Sequence, residues 1–264
     1  MNIVFFTQED PFYVKVFFDE FFRQFKPLNE IKAIVISRPM GKKSIFDLAR
    51  QMYNFYGPYD FLRMGFRYAH IKVMGKRPVR KPANGSGPRT YTLKQLAELH
   101  GVRVIERSDL NSGDFRQSIS QYSPDLFISV ASPIIFKKEL IALPKMDCIN
   151  VHNAPLPKYR GMLPNFWQLY HGEKEAGITI HRIAEGIDTG DIVARHFVSI
   201  EPEETLHDLI IKTKKMDARF MADVIEDYRL GKVTCRKMTG EGSYFTFPNR
   251  NDVKIFKQRG RRLL

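Results

Sequence analysis

Cysteine is nearly missing from this chain: Cys148 and Cys235 are the only two among 264 residues. An isolated pair does not build a disulfide framework, so the composition suits a reducing cytoplasm, where we expect the protein to reside. Cys148 lies in an apolar segment and reads as packing. No apolar run approaches the ~20 residues that a membrane-spanning helix needs. The opening Met1-Asn-Ile-Val-Phe-Phe-Thr7 has neither the length nor the cleavage site of a signal peptide. No Gly-x-Gly-x-x-Gly and no phosphate-cradling Gly-Lys-Ser loop follows that first apolar stretch, where Thr7-Gln-Glu-Asp-Pro11 stands instead. Nucleotide-dependent dehydrogenases and P-loop kinases are thereby disfavoured. The histidines lack ligand spacing with cysteines or carboxylates, so no metal is expected.

What is present is an alternation of short apolar runs and helical periods. Ile3–Phe6, Ile31–Ile36, Val102–Ile105, Leu126–Val130 and Cys148–Val151 read as buried strands, with helical patterns over Tyr13–Phe25, Thr92–His100, Ser112–Gln121 and Lys137–Ala142. That order predicts crossover units and a mostly parallel α/β sheet. Gly177–Arg182 and Asp191–Ile200 are strand-like and would pair as a hairpin. From Glu203 to Leu230 a helical period carries Leu206, Leu209, Ile210, Met216, Phe220, Val224 and Ile225 on one side, with Gly231 as its stop. We therefore expect a main domain over 1–202, with a basic insertion at about 56–91, and a short helix-and-strand extension over 203–264.

The chemistry concentrates in Cys148-Ile-Asn-Val-His-Asn-Ala-Pro-Leu-Pro-Lys-Tyr-Arg-Gly161 and Ile187-Asp-Thr-Gly-Asp-Ile192. These segments offer an amide, an imidazole and a carboxylate without a conventional nucleophile. Strand side chains repeat with period two, so Asn150 and His152 share one face while Ile149 and Val151 point into a core. Pro155, Pro157 and Gly161 then stop the strand. Two polar groups thus reach the carboxyl end of a buried strand, the usual ligand position in an open parallel sheet. In isolation His152 would read as a satisfied buried histidine and Asn150 as a loop cap; with Asp188 they become candidates for catalysis. His181 and His196 read as surface or packing residues of the hairpin, and Asp191 as a turn residue. Phe166, Trp167 and Tyr170 read as packing of a helix after Pro164.

The pattern Asn-x-His, then Leu-Pro-x-Tyr-Arg-Gly, then Asp-Thr-Gly is met here by Asn150, His152, Leu156–Gly161 and Asp188-Thr189-Gly190. It resembles the folate-dependent formyltransferases, which include glycinamide ribonucleotide, methionyl-tRNA and nucleotide-sugar N-formyltransferases. The likeness runs from about Asp125 to Ile200 and departs at Ala154-Pro155-Leu156-Pro157, where the family usually has Ser-Leu-Leu-Pro. It implies a Rossmann-like formyltransferase domain with a short C-terminal α+β extension. It also implies formyl transfer from 10-formyltetrahydrofolate to a primary amine. By the same resemblance Asn150, His152 and Asp188 are catalytic: Asn150 and His152 donate to the developing oxyanion and Asp188 orients the imidazole. Ser132, Pro133, Ile134, Ile135 and Phe136, with Gly186 and Ile187, would wall the pterin. Tyr159, Arg160 and Gly161 would contact the substrate, Arg160 through an acceptor phosphate. The acceptor expected is the amino sugar of a nucleotide-linked sugar, because too little chain follows for the C-terminal barrel of methionyl-tRNA formyltransferases. Methionyl-tRNA, hydrolysis of the donor by water, and a catalytically silent basic module on the same scaffold are the alternatives, and a homodimer is compatible with each.

Charge is the feature that the resemblance leaves over. The net charge is +13, and residues 61–89 hold Arg63, Arg67, Lys72, Lys76, Arg77, Arg80, Lys81 and Arg89 without one Asp or Glu. The mixed apolar and basic run at 61–73 would suit an interfacial helix at an anionic membrane or a nucleic-acid surface. Residues 75–89, rich in proline and glycine, read as a mobile loop. Of these readings, an insertion helix packed on the sheet with a solvated basic face is favoured over a dedicated binding patch.

Overall fold

The computed structural model describes residues 1–38, 44–79 and 88–264. In chain order the elements are β1 (Ile3–Gln8), α1 (Val14–Gln24), β2 (Ile31–Ser37), α2 (Ile45–Tyr56), α3 (Pro58–Met74), α4 (Leu93–Leu99), β3 (Val104–Glu106), α5 (Gly113–Ser120) and β4 (Leu126–Val130). They continue with α6 (Lys138–Ile141), β5 (Asp147–His152), β6 (Arg160–Gly161), α7 (Pro164–His171), β7 (Glu175–Arg182), β8 (Ile192–Ser199), α8 (Leu206–Arg229), β9 (Tyr244–Phe245) and α9 (Arg250–Gln258). Seven strands form one sheet in the order β3-β2-β1-β4-β5-β7-β8. Pairing is parallel from β3 through β5 and antiparallel from β5 to β7 and from β7 to β8. The expected mostly parallel α/β sheet is therefore the one found.

Uninterrupted apolar runs suit strands that helices cover on both faces. Phe5 points to one face and meets Phe17, Phe18 and Phe21 of α1 edge-on, with centroids 6.3, 5.4 and 5.1 Å away. Its neighbour Phe6 points to the other face and meets Phe115, Phe127 and Phe136. Fully burying each such ring stabilises the fold by roughly 1.5–3 kcal/mol. α8 completes the Phe5 layer through Leu206, Leu209, Val224 and Ile225, and α9 adds Val253 and Phe256 to the same apolar cluster. A reciprocal pair of hydrogen bonds between Thr205 and Asp208 starts α8, and Gly231, at φ +64°, follows its last turn.

Three details differ from the sequence expectation. β3 begins two residues later than Val102, because the Val102 amide still donates to the Ala97 carbonyl of α4. α2 was not expected: it starts at Ser44, whose side chain and that of Asp47 cap each other's amides, and Phe55 anchors it against Phe166 and Phe247. Among the described residues between Ser37 and Leu93 there is no strand, so the helical excursion starts well before residue 56. Of the loop expected over 75–89, residues 80–87 lie outside the described residues.

Candidate active site

The antiparallel step from β5 to β7 builds the site. Its register sets Asn150 opposite His181 and His152 opposite Thr179. The Asn150 side-chain amide donates to His181 Nε2 at 3.1 Å, while His181 Nδ1–H donates to the Arg182 carbonyl at 2.8 Å. One of the two Asn150 N–H groups is thus held, and the other has no partner among the described residues. His181 is 2% exposed, as the packing half of its expected assignment allows, but its contacts with Asn150 and Asp188 also bring it into the candidate site. The reason is the pairing register, which sequence periodicity alone does not contain.

His152 is tied at its other end. Its Nε2–H donates to the Tyr159 carbonyl at 2.9 Å, which places the proton of the neutral ring on Nε2 and leaves Nδ1 facing Asp188 Oδ2 at 3.6 Å. Burial pushes the imidazole below its ordinary 6.5, against the opposing pull of Asp188 and of the Tyr159 carbonyl. Asp188 also lies 3.5 Å from His181 Nε2 and accepts from the Gly161 amide at 3.0 Å. Burial works against its ionisation, but the His181 contact, the His152 ring and the Gly161 N–H together hold it at about 2. The carboxylate is therefore a fixed negative charge between two imidazoles.

Backbone geometry puts it there. Asp188 itself has φ +51°, and a Cβ on Gly190 would overlap the Arg182 carbonyl, so only glycine lets the turn close against β7. Gly161 has φ +97°, and a Cβ there would overlap the Phe245 carbonyl. That contact belongs to the pairing of β6 with β9, reinforced by the Tyr159 amide on Ser243 Oγ at 2.8 Å and by Trp167 Nε1–H on the Thr246 carbonyl at 3.1 Å. The C-terminal segment thereby fixes the loop that carries the His152 acceptor.

The other expected site residues separate into two groups. Ser132, Pro133, Ile134 and Ile135 follow the end of β4 beside Asn150, with Ile135 63% exposed, and Ile187 next to Asp188 is also exposed. Gly186 packs against the Thr189 side chain. Phe136 does not face that rim; it is buried with its ring 5.0 Å from Phe6, so it is a core residue. Tyr159 likewise gives the site its carbonyl and not its ring, which stacks on Phe245 at 5.6 Å while its hydroxyl donates to Glu173 at 2.7 Å. Arg160 is half-buried, and its Nε has no hydrogen-bond partner among the described residues.

A buried network behind the strand end was not anticipated. Lys214 Nζ donates to Asn153 Oδ1 at 2.7 Å and to Asp217 Oδ2 at 2.8 Å, and the Asn153 amide donates to Asp217 Oδ1 at 2.6 Å. Gln168 ties the Asn153 carbonyl to the Gly177 amide. Every charge there is paired, as burial demands, and the backbone beyond His152 is held in one place. Among the described residues no cluster of His, Cys, Asp and Glu could hold a metal ion, and no helix is long and apolar enough to cross a membrane.

Comparison with known proteins matches residues 75–225 to the family described as Formyl transferase. A methionyl-tRNA formyltransferase of Thermodesulfovibrio yellowstonii is 32% identical over 185 residues, covering 70% of this chain and 60% of that protein. The chain spans 49% to 60% of the length of the first curated relatives it matches. Among solved structures, an N-formyltransferase from Helicobacter canadensis, in complex with folinic acid and dTDP-3-aminofucose, is 16% identical with a TM-score of 0.57, over 98% of this chain and 79% of that one. Glycinamide ribonucleotide transformylase 1 from Symbiobacterium toebii is 14% identical with a TM-score of 0.59, over 90% of this chain and 94% of that one. At these identities the likeness is one of fold.

Proposed function

This chain belongs to the formyl transferase family, and from that premise we propose that it moves a formyl group from 10-formyltetrahydrofolate to a primary amine. The observation that carries the proposal is the convergence of Asn150, His152 and Asp188 at the carboxyl end of β5, with one Asn150 N–H unspent. When bound, 10-formyltetrahydrofolate supplies the electrophilic formyl carbon. Ser132, Ile134 and Ile135 on one side and Ile187 on the other offer the apolar walls and backbone groups that a flat pterin needs.

The free Asn150 N–H donates to the formyl oxygen as negative charge builds on it; a donor preorganised in this way lowers a barrier by about 3 kcal/mol. The incoming amine forms its bond to the formyl carbon and must shed a proton, while the bond from that carbon to the donor nitrogen breaks. His152 Nδ1 is unprotonated, faces the charge of Asp188 and, unlike His181 Nε2, is not already accepting from Asn150, so it receives that proton and returns it to the leaving nitrogen. The tautomer set by the Tyr159 carbonyl thus makes His152 a proton carrier in the resting state, a different emphasis from the oxyanion donor expected from sequence. Asp188 stabilises the imidazolium while it exists.

For the acceptor, the half-buried Arg160 beside Gly161 has an unpartnered Nε, which supports a phosphate-bearing amine. We favour the amino sugar of a nucleotide-linked sugar. A tRNA would need a cationic track toward the site, whereas the outward helix face of the insertion is apolar among the described residues. Methionyl-tRNA is the second reading, favoured by the names of the sequence relatives. Incubation with 10-formyltetrahydrofolate and, separately, nucleotide-linked amino sugars, methionyl-tRNA or no amine tests both. Donor consumption that requires one acceptor class identifies it; consumption without any amine would replace transfer by hydrolysis.

A further inference from the structure

The face of α3 that points away from the protein is apolar. Tyr59, Leu62, Phe66 and Val73 are 78%, 60%, 76% and 57% exposed. With Ala69 they recur at alternating spacings of three and four residues, which draws one stripe along the helix. The opposite face carries Met64, buried against the body of the protein, and half-buried Ile71 and Met74. A helix whose only task were to cover the sheet would keep its outward stripe polar, so the favoured sequence expectation of a solvated basic face is not what α3 presents.

Cations border the stripe. Arg63 and His70 stand along one edge and Lys72 along the other, while Arg67, also exposed, has its guanidinium 5.5 Å from the centre of the Phe12 ring. At the foot of the helix, where Gly57 at φ +80° joins α2 to α3, an open cleft of about 460 Å³ separates this junction from α9. Phe55 and Val253 line it together with Arg250, Lys254 and Lys257, and no carboxylate does.

Three occupants suit an exposed apolar and basic face, and charge and chemistry discriminate among them. A second copy would bring Arg63 and Lys72 against their own equivalents and repel. A nucleic acid would use the cations and could stack a base on Tyr59 or Phe66, but it would gain nothing from Leu62, Ala69 and Val73, which have no flat face. A bilayer of anionic phospholipid uses both parts at once, since the apolar stripe enters the headgroup boundary while the flanking cations meet phosphates. We propose that α3 seats this protein on an anionic phospholipid surface, with the cleft beside α9 receiving a lipid phosphate.

Flotation of the full chain with vesicles of equimolar phosphatidylcholine and phosphatidylglycerol, and of phosphatidylcholine alone, tests this directly. We expect flotation with the anionic vesicles at low salt and little with the neutral ones. Leu62→Ser with Phe66→Ser should lower the floated fraction about tenfold, with an unchanged thermal midpoint because both side chains are exposed. Lys254→Gln with Lys257→Gln should weaken binding to the anionic vesicles several-fold. The proposal is overturned if the chain does not float, or if it floats equally well without Leu62 and Phe66. It is also overturned if those two side chains instead hold together a dimer in sedimentation equilibrium, or retain tRNA in a gel shift.

Discussion

The Asp188 carboxylate stands 3.6 Å from His152 Nδ1, while the Tyr159 carbonyl engages the opposite ring nitrogen at 2.9 Å. The imidazole is thereby fixed in orientation and tautomer, and its one free nitrogen is aimed at a charge held ionised at about 2. Replacement of Asp188 by Asn keeps the shape and removes the charge. We expect the turnover number to fall by about 10²–10³-fold, with a circular-dichroism spectrum and thermal midpoint near those of the parent. Unaltered turnover would remove Asp188 from the mechanism.

His181 is the residue that the structure adds to the site. It accepts from the Asn150 amide and lies 3.5 Å from Asp188, so we assign it a positioning role. His181→Phe should lower the turnover number about tenfold while KM for the folate stays within about twofold. Gln, which can still accept from Asn150, should restore part of the loss. A purely structural role would instead lower stability and spare the ratio of the two constants.

The pH dependence follows from His152. Burial places its folded-state value below 6.5, so the folded protein resists protonation of this ring more than the unfolded chain does. The corresponding stability is complete above about 6.5 and is lost as pH falls through the lower folded value. Turnover should be flat above neutrality and decline on the acid side at a midpoint below 6.5. Because Asp188 pulls the value upward, Asp188→Asn should move that midpoint further down. A midpoint above 6.5 in the pH profile of the free enzyme would contradict the assignment.

The buried trio of Lys214, Asp217 and Asn153 predicts a stability effect of a different kind. Asp217 is fully buried and Lys214 nearly so, so Lys214→Met strands a carboxyl group whose ionisation burial already opposes. Urea denaturation should show a loss of about 3–5 kcal/mol. Adding Asp217→Leu should recover much of it, whereas independent contributions from the two residues would give additive losses.

Arg160 offers a test of acceptor recognition. Arg160 is half-buried and its buried Nε has no hydrogen-bond partner among the described residues, so Arg160→Gln should raise KM for a phosphate-bearing acceptor about tenfold or more and leave donor binding, measured by fluorescence quenching of Trp167, unchanged. An equal rise for an acceptor without phosphate would point to loop distortion.

Much of this arrangement was legible before the fold. The apolar runs at Ile3, Ile31, Leu126 and Cys148 announce themselves as strands because parallel strands, buried on both faces, need no alternation. The spacing of Asn150 and His152 states that they leave the strand together, and the glycine-bearing turn at Asp188 returns to them as expected. What escaped the reading depends on partners distant in sequence. His181 became a site residue through the register of β7 on β5. Tyr159 gave its carbonyl because Ser243 and Glu173 claim its amide and hydroxyl, and Phe136 turned inward because Phe6 stood there to receive it. α2 is not among the expected elements although Leu48, Met52 and Phe55 recur at helical spacing; of these three only Phe55 is buried.

The most direct test follows one atom. A 10-formyltetrahydrofolate carrying ¹³C in its formyl group is mixed with the protein and the acceptor that supports turnover, and the product amide is read by NMR. The account predicts that the label appears as a formamide carbon on the acceptor, at a rate that Asn150→Ala and Asp188→Asn each cut sharply. Label released as formate, or transfer undiminished in either variant, would contradict it.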